Sequence, residues 1–129
     1  MKTATGSFEI TMTPQKGDAY DAGRFSFDKS FVGEFSGTGR GQMLSHRTTT
    51  EGSAGYVAIE TLTGTLKGKE GSFTLQHYGM MHNGAQEQTI SIIPNSGSGD
   101  LVGIEGTLAI KIENGRHYYT LTYQLPDAP

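Results

Sequence analysis

Two titratable residues stand on strand-like faces that are otherwise apolar. The chemistry they suggest is proton transfer, or the orienting of a ligand, inside an apolar space. In Phe73-Thr74-Leu75-Gln76-His77 the alternation puts Phe73, Leu75 and His77 on one face and Thr74 and Gln76 on the other. In Tyr56-Val57-Ala58-Ile59-Glu60-Thr61-Leu62 an inward Tyr56, Ala58 and Leu62 carry Glu60 inward with them. The opposite parity stays open there, because Val57 and Ile59 are apolar too. Lys29 shares a face with Phe25, Phe27 and Phe31. A buried acid, imidazole or ammonium is costly unless it is paired. The segments holding Glu60 and His77 are consecutive, and a turn near 67–70 sets Glu60 opposite a residue within one or two positions of His77. The pair reads in two ways. It is either a satisfied polar pair holding strand register, or part of a cavity whose polar groups converge on a ligand, with acid–base catalysis by Glu60 and His77 as a narrower form of the second.

The apolar wall expected around that pair comprises Phe27, Phe31, Tyr56, Phe73, Leu75, Tyr119 and Tyr123. Lys29 belongs to the same set of candidate ligand-binding residues, and Met43 and Met81 are adaptable fillers. Each apolar member taken singly reads more readily as plain core than as ligand wall. Other chemistry finds little support. Gly37-Thr38-Gly39-Arg40-Gly41 lacks the spacing, the Gly-Lys-Ser/Thr ending and the following helix of a phosphate loop. A strand passing close to another backbone explains those glycines better. His46, His77, His82 and His117 show no metal-ligand spacing, so no metal and no cofactor is expected. No Gly-x-Ser-x-Gly elbow is present.

The elements that must position these residues are strands. Period-two alternation recurs in Phe8–Met12, Phe25–Phe31, Phe73–His77, Ile110–Ile112 and Tyr119–Leu125. Runs near 6–12, 24–35, 38–48, 55–66, 71–80, 86–93, 103–113 and 116–125 give about eight strands. Asn83-Gly84 and Asn114-Gly115 are strong hairpin signals, and Lys67–Gly71 is a third turn. Thr13–Gly23 is the longest connection, Pro94–Asp100 is another loop, and Pro126–Pro129 is a frayed end. Sequential strands joined this tightly pair as a meander, and a meander of eight leaves two open edges unless it closes. The expected fold is therefore all-β: a small closed antiparallel β-barrel spanning 1–129 as one domain, with a two-sheet β-sandwich as the alternative.

Composition agrees and narrows the partners. The 129 residues contain 19 Gly, about twice the usual share, without collagen spacing. There is no Cys, which removes disulfides, thiolate metal sites and cysteine nucleophiles. Ten Lys and Arg against 13 Asp and Glu give a net charge of −3, which argues against a nucleic-acid partner. No leader-like or membrane-spanning run is present, so no membrane partner and a cytoplasmic location are expected; an exported chain stripped of its leader would read the same.

The segment Glu60–Gly79, with its Gly-Ser-Phe-Thr-Leu-Gln-His block, resembles a bacterial family of small uncharacterised proteins carrying a domain of unknown function. Ala4–Phe8, Ile93–Thr107 and Gly115–Tyr119 with Tyr123 and Leu125 fit as well, so the resemblance covers nearly the whole chain. It implies a barrel like that of allene oxide cyclase, related in shape to lipocalins. Where many members carry a Trp, this chain has Met12, Thr13 and Pro14. The cyclase's catalytic residues have no match here, and fold-level analogy supplies no activity.

Three functions are therefore expected to compete. The first is a module binding a small apolar or amphipathic molecule inside the barrel, oriented by Glu60, His77 and a tyrosine. The second is a cofactor-free isomerase or cyclase using Glu60 and His77 as acid and base. The third is an oligomeric structural or interaction protein with a packed barrel, its outward set Val57, Ile59 and Ile93 forming a homo-oligomer contact.

Overall fold

The computed structural model describes residues 1–16 and 23–126. Most of the expected long connection, residues 17–22, and residues 127–129 of the tail lie outside them. The described chain is all strand and turn. Its elements are β1 (Lys2–Pro14), β2 (Arg24–Gly33), β3 (Phe35–Arg47), β4 (Ala54–Leu66), β5 (Lys69–His82), β6 (Ala85–Ile92), β7 (Ser98–Gly99), β8 (Glu105–Glu113) and β9 (Arg116–Gln124). Among the described residues no helix is long and apolar enough to cross a membrane.

Neighbouring strands pair antiparallel in sequence order, and β9 returns to pair with β1 over Lys2–Phe8. The result is a closed eight-stranded barrel, with β7 as an additional short strand on β5. The two-sheet alternative is thereby excluded. Three hairpins turn on two residues each. Lys67-Gly68, Asn83-Gly84 and Asn114-Gly115 all have positive φ at both positions, the mirror-image turn whose twist matches that of paired strands. The β6–β8 seam is the weakest of the ring, paired only at Ser91 and Thr107.

The strand β7 was not foreseen. It lies in the Pro94–Asp100 loop, where β6 has already ended and the start of β5 needs a new partner. Ser98 supplies it, pairing with Ser72 and placing its Oγ 2.6 Å from Ser72 Oγ. The same connection turns inward beyond β7. Leu101 and Ile104 are fully buried and join the core cluster, so the connection closes one end of the barrel.

Interior positions follow the expected parity. From the closed end toward the middle, Ala4, Phe35, Leu66, Phe73, Leu121 and Tyr123 fill the space to completion. Burying the Leu and Phe side chains among these is worth about 1.5–3 kcal/mol each, which fixes this half as the stable part of the fold. The other end, formed by the far ends of β1, β3 and β5 and the beginnings of β2, β4 and β6, has no such plug among the described residues.

Candidate functional site

At mid-barrel three charged or titratable side chains meet in the interior. Glu60 is fully buried on β4, His77 is 4% exposed on β5 and Lys29 is 6% exposed on β2. Lys29 Nζ donates to Glu60 Oε1 at 3.1 Å, and His77 Nε2 donates to the same oxygen at 3.0 Å. The parity left open for β4 is settled with Glu60 inside, while Val57 and Ile59 face out at 52% and 49% exposure. The residue directly opposite Glu60 is Leu75, and His77 stands opposite Ala58. The tight Lys67-Gly68 turn moves the hairpin centre one residue earlier than its glycine pattern suggested. An offset of two residues keeps the face, so His77 reaches Glu60 along the diagonal.

The contact between Lys29 and Glu60 needs a different explanation, because β3 runs between their strands. Lys29 is opposite Gly39, and Glu60 is opposite Gly41. Both glycines face inward, and with no Cβ they leave a trough across which the two side chains reach. A Cβ added at Gly39 would lie 2.3 Å from Glu60 Oε2 and 3.0 Å from the Phe31 ring. The carboxylate therefore occupies the volume the glycine lacks. Its Oε2 has no hydrogen-bond partner among the described residues. The ammonium of Lys29 is further held by aromatic faces, 4.7 Å from the ring centroid of Phe8, 5.3 Å from Phe27 and 5.9 Å from Phe31. All three lie within cation–π range.

Above this cluster the described residues leave the barrel hollow. A cavity of about 650 Å³ opens at the unplugged end, lined by Met12, Phe25, Met43, Tyr56, Met80 and Met81 with Ser45, His46, Arg47, Gln86 and the small residues Gly23, Ala54 and Gly55. Met43 is opposite Ala58, which is opposite His77, so the cavity floor and the polar cluster share one row of the sheet. Tyr56 reaches across to β6, where Gln88 Nε2 donates to its hydroxyl. The volume is that of ordinary small-molecule sites. Among the described residues no group of three or more His, Asp or Glu is placed to hold a metal ion.

The structure thus divides the residues singled out in the sequence. Glu60, His77 and Lys29 come together with Phe27 in the middle. Tyr56, Met43 and Met81 stand on the cavity wall. Phe31, Phe73, Leu75, Tyr119 and Tyr123 are 0–3% exposed in the packed half. Sequence reasoning missed Phe8 in the lysine's cage, Met12 and Phe25 on the wall, and Arg47 at the mouth. Parity could have found Arg47, since it follows Met43 and Ser45 at two-residue steps on β3.

Tyr119 has a defined structural task. Its hydroxyl accepts from Phe35 N–H and donates to Phe35 C=O, both at 2.8 Å, clamping the β2–β3 turn against β9. Burial raises the phenol above its ordinary pKa. On the outside of the same turn Glu34 Oε1 accepts from Thr5 N–H at 2.9 Å, and Lys67 Nζ lies 3.6 Å from Oε2. The Thr5 backbone bond, with the nearby ammonium second among the lowering causes, holds Glu34 below the usual carboxylate value.

The family profile described as "Protein of unknown function (DUF3224)" matches residues 4–123. The chain belongs to the DUF3224 family. A crystal structure of a DUF3224 protein of unknown function from Shewanella oneidensis MR-1 is 43% identical to it, with 99% of each chain covered and a TM-score of 0.93. No curated protein matches the chain. DUF3224 membership thus accounts for the barrel and leaves its use to be argued from the site.

Proposed function

We propose that this DUF3224 protein binds a small apolar or amphipathic molecule in the open half of its barrel. One observation carries the reading: among the described residues the interior is packed at one end and hollow at the other, with a cavity of about 650 Å³ whose wall includes four methionines, Phe25 and Tyr56. A barrel selected only for stability gains from filling its interior, since empty apolar space costs about 20–25 cal/mol per Å³ when it arises in a core. Methionines suit a binding wall because their flexible thioethers adjust to an occupant. The polar cluster beneath supports the wall and sets the depth of the hollow.

The cluster is also the base for an enzymatic reading, in which Glu60 or His77 moves a proton. Glu60 Oε1 already accepts two donors and Oε2 is enclosed, so the cluster is built as a support, and binding is the stronger reading. Native mass spectrometry of the protein purified from its own host tests it. A discrete non-covalent adduct that is lost when Met43→Trp narrows the hollow supports the proposal. A single apo mass, with no adduct from any lysate fraction added back, contradicts it.

A second reading concerns the outer face. Leu44, Val57 and Tyr78 are 52–56% exposed and lie in one row across β3, β4 and β5, with Ile59 beside them. An apolar patch of this kind favours self-association. Ile93 is only half-buried and lies beyond the end of β6, away from that row. Light scattering at high concentration reads a dimer if the patch is used and a monomer if it is not.

A further inference from the structure

We infer that the occupant of the hollow is an aromatic monoanion whose negative group is held at the barrel mouth by Arg47. The inference rests on the binding reading above and adds charge and shape to it. The first support is the charge of the lining. Among the described residues thirteen line the hollow; Arg47 and His46 are its titratable side chains apart from the phenol of Tyr56, and none of the thirteen is a carboxylate. Arg47 thus puts a fixed positive charge at the mouth of a chain whose net charge is −3. Arg47 lies on the inward parity of β3 with Met43 and Ser45, so its stem starts on the interior face. No ion pair occupies it among the described residues, whereas the exposed Arg40 is paired with Asp28 at 2.9 Å and the exposed Lys67 lies 3.6 Å from Glu34. A guanidinium offers a planar fork that matches a carboxylate.

The second support is the wall itself. Four of the five methionines in the chain, Met12, Met43, Met80 and Met81, line the hollow beside Phe25 and Tyr56. Thioether sulfur and ring faces both favour a flat aromatic body over a saturated one. Deeper in the barrel the ammonium of Lys29 is already taken by Glu60 and three rings, so it offers no second anchor. The anion therefore sits at the mouth with the ring pointing down.

Calorimetric titration of the full chain with four probes tests this: 2-naphthoate, its neutral carboxamide, 2-naphthylmethylamine, and decanoate. The expected order puts naphthoate at least tenfold tighter than the carboxamide and the amine, and tighter than decanoate. Arg47→Gln removes the preference for naphthoate over the carboxamide, and Arg47→Lys restores part of it. Arg47 is exposed near a strand end, so both variants keep the fold, and unchanged thermal midpoints verify that. Equal binding of naphthoate and carboxamide overturns the anionic inference while leaving the binding site in place. Tighter binding of decanoate overturns the aromatic part. Failure of all four probes, while the natural adduct is still seen by mass spectrometry, overturns the inference and spares the binding reading.

Discussion

Lys29 and Glu60 form an ion pair at 3.1 Å across an intervening strand, and they meet because β3 presents Gly39 and Gly41 to the interior between them. Neighbouring strands lie about 4.8 Å apart, so a pair two strands apart must span roughly 9–10 Å of backbone. A long lysine stem and a glutamate cover that distance only where no Cβ stands between. The glycines are thus part of the ion pair's design.

Gly39→Ala tests that relationship. The new Cβ meets the carboxylate and the Phe31 ring. Overpacking costs about 1–3 kcal/mol, and a displaced buried pair adds to it. Urea denaturation should show a loss of at least about 2 kcal/mol on that scale. A loss within the ±0.5 kcal/mol or so of an ordinary surface substitution would mean that the trough is not needed.

The pair should also behave as a unit. Lys29→Met or Glu60→Gln alone leaves buried polar groups poorly matched, and removing one partner of a buried pair costs about 3–5 kcal/mol. The double variant leaves His77 with an amide oxygen to donate to and the cage with an apolar chain. Its loss should fall well below the sum of the single losses, with a coupling energy of about 1–3 kcal/mol. Strict additivity in the cycle would show that the two side chains do not interact in solution.

Packing differs between the two ends, and substitutions should report it. Leu75 is 1% exposed in the packed half, and Leu75→Ala should cost about 2–5 kcal/mol. Met81 is 37% exposed at the hollow, and Met81→Ala should cost about 1 kcal/mol or less. Comparable losses at the two sites would mean the open half is as tightly filled as the closed one.

The Tyr119 clamp makes an alkaline prediction. Its folded-state pKa is raised by burial, so the native state holds its proton after the unfolded chain has released its own. The stabilisation is fully present below the ordinary phenol value near pH 10 and declines as pH rises through the folded value. Tyr119→Phe should cost about 1–3 kcal/mol at neutral pH, since both Phe35 backbone groups lose their partner. The same variant should flatten the fall in stability above pH 10. An unchanged alkaline limb would assign that titration to another group.

Glu34 makes the acid counterpart. Its folded pKa is lowered, so its contribution is present above the ordinary carboxylate value and is lost as pH falls through the folded value. Glu34→Gln should reduce the slope of stability against pH below about pH 4.5 and leave the slope between pH 6 and 8 unchanged. An identical acid limb in the two proteins would show that the Thr5 bond does not form.

Much of this was legible before any coordinates. Period-two alternation marked five of the eight barrel strands, runs between turns marked the other three, and the Asn-Gly turns fixed two hairpins, because these signals are local. The parity of Lys29 and His77 was legible for the same reason, while that of Glu60 stayed open because Val57 and Ile59 are apolar too. The division of the interior was not, because it depends on contacts far apart in sequence. Leu101 falls between the expected loop 94–100 and the expected strand run 103–113, and Ile104 falls within that run, yet both precede β8 and plug the closed end. Phe73, Leu75, Tyr119 and Tyr123 have the same alternation as Tyr56, and no local feature tells a residue under that plug from one beside the hollow. The glycines of β3 looked like a backbone feature. At Gly41 a neighbouring backbone oxygen, Ile59 O, does come close, but at Gly39 the space belongs to a carboxylate.

The most direct test of the hollow as a binding site uses the methionines that line it. With carbon-13 in the methionine methyl groups, the protein gives five signals: Met12, Met43, Met80 and Met81 from the hollow, and Met1, 83% exposed, as an internal reference. Titration with a panel of small aromatic and amphipathic compounds should move the four lining signals together with saturable curves while Met1 stays fixed. A panel that moves none of the four, or moves Met1 as much as the rest, would contradict the account.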